Sequence, residues 1–175
     1  LEDIRSFHEN LKFHPGQVVG NHQSYMNGLQ LFTNQFAYVV SVAEGMLKAN
    51  KNFDKVLGYK PEEINILFLY TLYHPEEKDL MSEFVTQAIK YLLEHPSYPL
   101  TGEASIIYSI RKADGTYIRV LRQTATLESD DQGKTISTIS ICTDISFLKM
   151  DGSVSFHLNY PNHPPFNLNY NDQES

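Results

Sequence analysis

Cysteine is almost absent from this chain. Cys142 stands alone among 175 residues, so neither an intrachain disulfide nor a cysteine-rich metal site can form. Long apolar runs are missing too. Nowhere do about 18 apolar residues follow one another, and no basic segment leads into an apolar one at the start, so secretion and membrane spanning lack their usual signals. Basic side chains are outnumbered: Lys and Arg total 14 against 21 Asp and Glu, a formal net charge of -7. A surface that attracts phosphate backbones needs the opposite balance. The expectation is a soluble, cytoplasmic protein with no nucleic-acid contact through this chain and no membrane contact. The chain opens on Leu1 without a methionine, and flanking domains are expected beyond it.

Reaction chemistry is equally sparse. His8, His14, His22, His74, His95, His157 and His163 are scattered, with no HExxH and no pair four residues apart, so no metal site is expected. Asp79 and Glu83 share one helix face beside Leu80 and Phe84 and read as its wet side rather than as a catalytic pair. Ser41 lies in a strand without a GxSxG elbow. Gly45, Gly58, Gly115 and Gly133 are dispersed turn formers, not a phosphate cradle. No catalytic residue is expected, and the chain is not read as an enzyme.

What the chain does contain is a sequence of clear periods. Its length and 41% hydrophobic content suit one core. Residues 1–35 read as an N-terminal arm, broken at His14, Pro15 and Gly16, with Tyr25, Leu29 and Phe32 as a short helical stripe. Phe36 to Val42 is strand-like, turns at Ala43, Glu44 and Gly45, and returns as Met46 to Ala49. Asn50 then stands as the expected cap of a helix carrying Phe53, Val56 and Leu57, closed by Gly58. Glu62 and Glu63 suit an exposed first turn. ILFLYTLY, within Ile64 to Tyr73, is too apolar for a solvated loop and should line or plug the core. After His74 and Pro75 comes the most regular helix, with Leu80, Phe84, Ala88 and Leu92 at every fourth residue and Met81, Val85 and Ile89 widening the stripe.

From Glu103 the period becomes two, through Ala104, Ile106, Tyr108 and Ile110. Turns at Ala113–Gly115 and Ser129–Gly133 divide three strands that form an antiparallel meander, covered on one side by the preceding helices. Val154, Phe156, Leu158 and Tyr160 alternate enough for one more strand, and YPNHPPFNLNYNDQES is Pro/Asn-rich and reads as a linker or tail.

The strand FAYVV, the Gly45 turn, NKNFDKVLGYKPEEI, the HPEE step at 74–77 and the closing RKADGTYIRV through TDIS together resemble the PAS family of sensory domains, over roughly residues 35–146. The resemblance implies an α+β fold: a five-stranded antiparallel sheet with helices over one face, here with an N-terminal arm (1–35), a PAS-like domain (36–146) and a tail (147–175) that holds the extra strand and a linker. It implies sensing of a small ligand or partner through an interior space. The flavin-binding branch uses a cysteine in an Asn-Cys-Arg-Phe-type helix segment, which NILFLYTLYHP lacks, so covalent flavin chemistry is not expected. Haem is disfavoured, because His74 and His95 lie outside the apolar stripe. No cofactor is expected.

Tyr70, Leu72, Phe84, Ile89, Tyr108, Ile139 and Ile141 are the core and pocket-lining candidates, with Thr124, Ser140 and Tyr108 as the polar groups a ligand would need. Alternation alone does not say which strand face points inward. Asp144 resembles the Asp that ends PAS domains and is expected to fix the chain's exit, or to pass a pocket change onward. By resemblance the chain is the sensor of a bacterial transcription regulator, its tail being similar to the linker before a LuxR-type helix-turn-helix domain, so that DNA is met through a missing C-terminal domain. The runner-up is a ligand-free dimerisation module, of a signalling kinase for example. A homodimer is expected in either case.

Overall fold

The computed structural model describes residues 20–148, 154–159 and 166–170. The break expected at His14, Pro15 and Gly16, and the histidines His8, His14 and His163, lie outside them. Helix α1 (His22–Gly28) starts where the Asn21 side chain accepts from the Ser24 amide at 2.9 Å, a cap that satisfies one of the first-turn donors. Its buried residues are Met26 and the following Leu29, whereas Phe32, expected in the stripe, is 77% exposed.

Strands β1 (Gln35–Ser41) and β2 (Met46–Lys51) form a hairpin that turns through Gly45 at φ 61°, with a register shift between Val39 and Val40. The strand outlasts its expected end, which corrects the reading of Asn50. Asn50 caps nothing: it lies inside β2 and its side-chain amide donates to the Pro61 carbonyl at 3.1 Å. Helix α2 (Phe53–Val56) is instead preceded by Asn52 at φ 64°, whose side chain donates to the Gln35 carbonyl at 3.1 Å. Asn is the non-glycine residue best suited to that left-handed backbone. Gly58, at φ 81°, closes α2 with its amide on the Phe53 and Asp54 carbonyls, and a Cβ there would lie 3.2 Å from that of Ala113.

A 3₁₀ turn at Pro61–Glu63 leads to α3 (Ile66–Thr71), capped by Asn65, which accepts from the Phe68 amide at 2.9 Å. The apolar run plugs the core as its composition demanded: Leu69, Leu72 and Tyr73 are buried. A second 3₁₀ turn, Pro75–Glu77, feeds α4 (Lys78–Glu94). The side of α4 turned inward carries Phe84 and Leu92 of the expected stripe and Met81 from its widened edge, with Leu80 only partly buried.

Strands β3 (Glu103–Arg111), β4 (Tyr117–Ser129) and β5 (Thr135–Asp144) are the meander, and β5 pairs back onto β1. β6 (Val154–Asn159) adds beyond β3, and β7 (Phe166–Tyr170) pairs with β6. The order is β2-β1-β5-β4-β3-β6-β7, antiparallel throughout. The first five strands are the expected sheet. Phe166–Tyr170, read as linker, is strand instead: once β6 forms, its free edge supplies the backbone partners that a Pro/Asn-rich segment cannot find alone.

Both faces of the sheet are covered. Helices α2 to α4 lie over a cluster that includes Phe36, Phe53, Leu72, Phe84, Ile106, Tyr108 and Phe156. On the other face Met26 and Leu29 pack on Ala37, Val39, Ala49, Leu127 and Ile139. Glu77 pins the start of α4 to the meander: it accepts from the Ser109 amide at 2.6 Å and from the Ser109 hydroxyl at 3.1 Å, and it is ion-paired with Arg119. At the far end of β5, Asp144 accepts from the Ser146 amide at 2.9 Å while its carbonyl accepts from Asn34 at 3.0 Å.

Candidate ligand-binding site

Strand register decides which side chains meet under the helices. Phe36, Cys142, Arg122, Ile106 and Phe156 are successive cross-strand neighbours, and so are Tyr38, Ser140, Thr124 and Ala104 in the adjacent row. Side chains at directly paired positions project to the same face. These two rows form a floor, and α3 and α4 form the roof. Between them lies a cavity of about 280 Å³, at the small end of the ~300–1,000 Å³ typical of small-molecule sites.

Ile66, Leu69 and Tyr70 reach the cavity from α3, Tyr73 from the segment after it, and Val85, Ala88, Ile89 and Leu92 from α4. The floor contributes Tyr38, Val40, Ala104, Ile106, Arg122, Thr124, Thr138, Ser140 and Phe156. Ser41, Val42 and Gly45 of the hairpin turn complete one end, where Gly45 and Ile89 are exposed and form a rim. The Thr124 and Ser140 hydroxyls bond each other at 2.8 Å.

Of the pocket candidates named from the sequence, Tyr70, Ile89, Thr124 and Ser140 line this space. Leu72, Phe84 and Tyr108 are packed into the core around it. Ile139 and Ile141 are on the opposite face, with the α1 cluster. The two isoleucines look like the inward face of β5 only if the other face is wet. Here α1 covers that face, so the apolar side of β5 goes to α1 and the Ser140/Cys142 side goes to the cavity. His74 accepts from the Glu76 amide and packs on the Tyr117 ring; His95 stacks on Tyr91. Neither lines the cavity.

Arg122 was not foreseen as a site residue, since an arginine in a strand usually marks a solvent face. The available signal was its place in the period-two series Val120, Arg122, Thr124. Among the described residues it is the only ionised side chain lining the cavity. Its Nη1 donates to the phenol oxygens of Tyr38 at 3.3 Å and Tyr73 at 3.4 Å, and the guanidinium lies 5.5 Å from the centre of the Tyr108 ring. Nε is buried and has no partner among the described residues.

Among the described residues no anion balances that charge. Burial raises the pKa of Tyr38 despite the opposing Arg122, and burial together with Cys142 and Tyr38 holds Tyr108 well above the ordinary phenol value. Burial pushes the Cys142 thiol up to about 12. All three are neutral near pH 7. Burial works against the Arg122 charge, yet the guanidinium stays protonated because so basic a group keeps its proton in proteins. Burying an ion without a counter-ion costs several kcal/mol; two long hydrogen bonds to neutral phenols and a ring face worth about 2 kcal/mol offset only part of that.

The PAS fold family model matches residues 46–142 of this chain. No curated protein matches it in sequence. Among solved structures, it is similar to the N-terminal domain of a diguanylate cyclase with PAS/PAC sensor from Marinobacter aquaeolei, at 16% identity and TM-score 0.53, covering 65% of this chain and 96% of that one. A domain of a histidine kinase from Haloarcula marismortui is similar at 15% identity and TM-score 0.50, with 70% and 99% covered. At such identities the likeness shows the fold.

Proposed function

This chain belongs to the PAS fold family, and from that premise we propose that it is the small-molecule sensor of a larger signalling protein. The carrying observation is the roofed cavity of about 280 Å³, apolar apart from Arg122 and a few hydroxyls. A fully packed interaction module has no use for such a space, so sensing is favoured over the dimerisation reading. In this reading the domain is not an enzyme, works without flavin or haem, and pairs with a second copy.

Occupancy matters only if the ligand prefers one of two packings of the roof over the floor. The attached output we propose is a helix-turn-helix DNA-binding domain of a bacterial transcription regulator. Its support is the resemblance of the tail to a linker, weakened because Val154–Asn159 and Phe166–Tyr170 pair as strands; the net charge of -7 says only that DNA contact would not fall on this chain. Among the described residues no helix is long and apolar enough to cross a membrane.

Native mass spectrometry of the purified protein, with denaturing extraction, tests the sensing role. The expected result is one small molecule per chain or, for empty protein, thermal stabilisation by members of a metabolite library that Ala88→Phe abolishes by filling the cavity. An empty protein that no library member stabilises overturns it.

A further inference from the structure

We infer that the ligand of this cavity is a small monocarboxylate with an apolar body, its carboxylate paired with Arg122 and its body lying against Leu69, Ile106 and Phe156. The inference rests on the sensing role proposed above and specifies the chemistry of its ligand.

The first argument is charge. Among the described residues one cation faces the cavity, and no Asp or Glu lines it. Arg122 makes no ion pair with a carboxylate among the described residues. A single negative charge neutralises the site, while a phosphate monoester, which carries close to two, leaves an excess charge buried. The second argument is geometry. A guanidinium is a planar fork that matches a carboxylate edge to edge, and the buried Nε of Arg122 has no partner among the described residues. The phenols add to this. Tyr38 and Tyr73 accept from Nη1; Tyr38 also bonds Ser140, while the Tyr73 hydroxyl keeps its own proton to donate to an oxygen beside the guanidinium. The third argument is the remaining lining, aliphatic and aromatic on both floor and roof, which rewards an alkyl or aryl body and little else.

The test compares probes of matched shape by calorimetry and thermal shift on the full chain. Octanoate and 3-phenylpropanoate supply the carboxylate on an alkyl and an aryl body; octanamide and 3-phenylpropanamide carry the same bodies without charge, and inorganic phosphate carries charge without a body. At least one carboxylate is expected to bind ten or more times more tightly than its amide, with phosphate inert, and the better body tells a lipid-derived from an aromatic acid.

Arg122→Met should remove the preference for carboxylate over amide and should by itself melt no lower than the parent. Arg122→Gln, checked by circular dichroism, replaces it if the Met variant does not fold. Equal binding of acid and amide, or retention of the preference in the variant, overturns the carboxylate assignment while leaving the sensing role standing. The assignment also fails if neutral library compounds bind and neither acid does. If nothing stabilises the protein and Ala88→Phe changes nothing, the sensing role itself fails.

Discussion

Arg119 and Arg122 lie three residues apart on β4, so the pleat sends them to opposite faces. Arg119 meets Glu77, whose carboxylate is also held by the Ser109 amide and hydroxyl, so the arginine's charge has a counter-ion. Arg122 meets two phenols, a ring and a thiol, and burial keeps Tyr38, Tyr108 and Cys142 neutral at ordinary pH. The first arrangement fastens a helix to a sheet. The second leaves one side of an electrostatic balance open to whatever enters the cavity. Near-identical residues on one strand thus separate a structural cation from a receptive one, and the distinction lies wholly in what faces them.

That contrast can be broken in several ways. The largest effect is expected from Glu77→Ala, which strands Arg119 and the Ser109 amide; unfolding in urea should show a loss of about 3 kcal/mol. A loss below about 1 kcal/mol, as for solvated pairs, would mean that the Arg119 pair is no more structural than a surface contact. Alkali probes the other arginine's surroundings. The Cys142 pKa is raised from 9.0 to about 12 in the fold, so its contribution is complete below pH 9 and declines as pH climbs toward 12. The unfolded chain releases a proton there that the folded one retains, a slope of about 1.4 kcal/mol per pH unit for one group. Denaturation curves across that window should show the decline, and Cys142→Ala should remove its onset between about pH 9 and 10, below the range in which the buried phenols add their own.

Next comes Arg122→Met, which removes an uncompensated charge and should raise the stability of the ligand-free protein by about 2 kcal/mol in the same assay. A loss of stability instead would place Arg122 with Arg119 as a structural cation. The smallest change is Asn65→Ala, which deletes the α3 cap at a cost of about 1 kcal/mol. Octanoate affinity should hold in that variant, since the cap touches neither arginine.

Much of this fold could be read from residue order alone. The meander announces itself because period two runs unbroken from Ala104 to Ile110, and α4 because its apolar stripe spans four turns. Asn50 was misjudged since two asparagines, at 50 and 52, compete for one cap and only the length of β2 decides between them. β7 escaped notice because its stability comes from the β6 edge rather than from its own composition. The cavity's roof candidate Tyr70 was accessible from the apolar run, but Ile139 and Ile141 were assigned by assuming one wet face. Arg122 needed the register: nothing in the string RVLRQT distinguishes a solvated arginine from one facing Tyr38, Tyr73 and Tyr108.

The outer edge of β3 is divided between two tenants. Its first half, Glu103 to Ile107, pairs with β6. Its second half holds the segment after α3: Tyr73 bridges Ile110, the His74 amide donates to the Ser109 carbonyl at 3.2 Å, and the Arg111 amide donates to the Leu72 carbonyl at 2.9 Å. A strand edge has a fixed number of hydrogen-bonding groups, so neither tenant can lengthen its pairing unless the other retreats. Tyr73 is also a phenol that holds Arg122. The cavity roof and the chain that follows the domain therefore share one ruler, on which a displacement at one end is a change of length at the other.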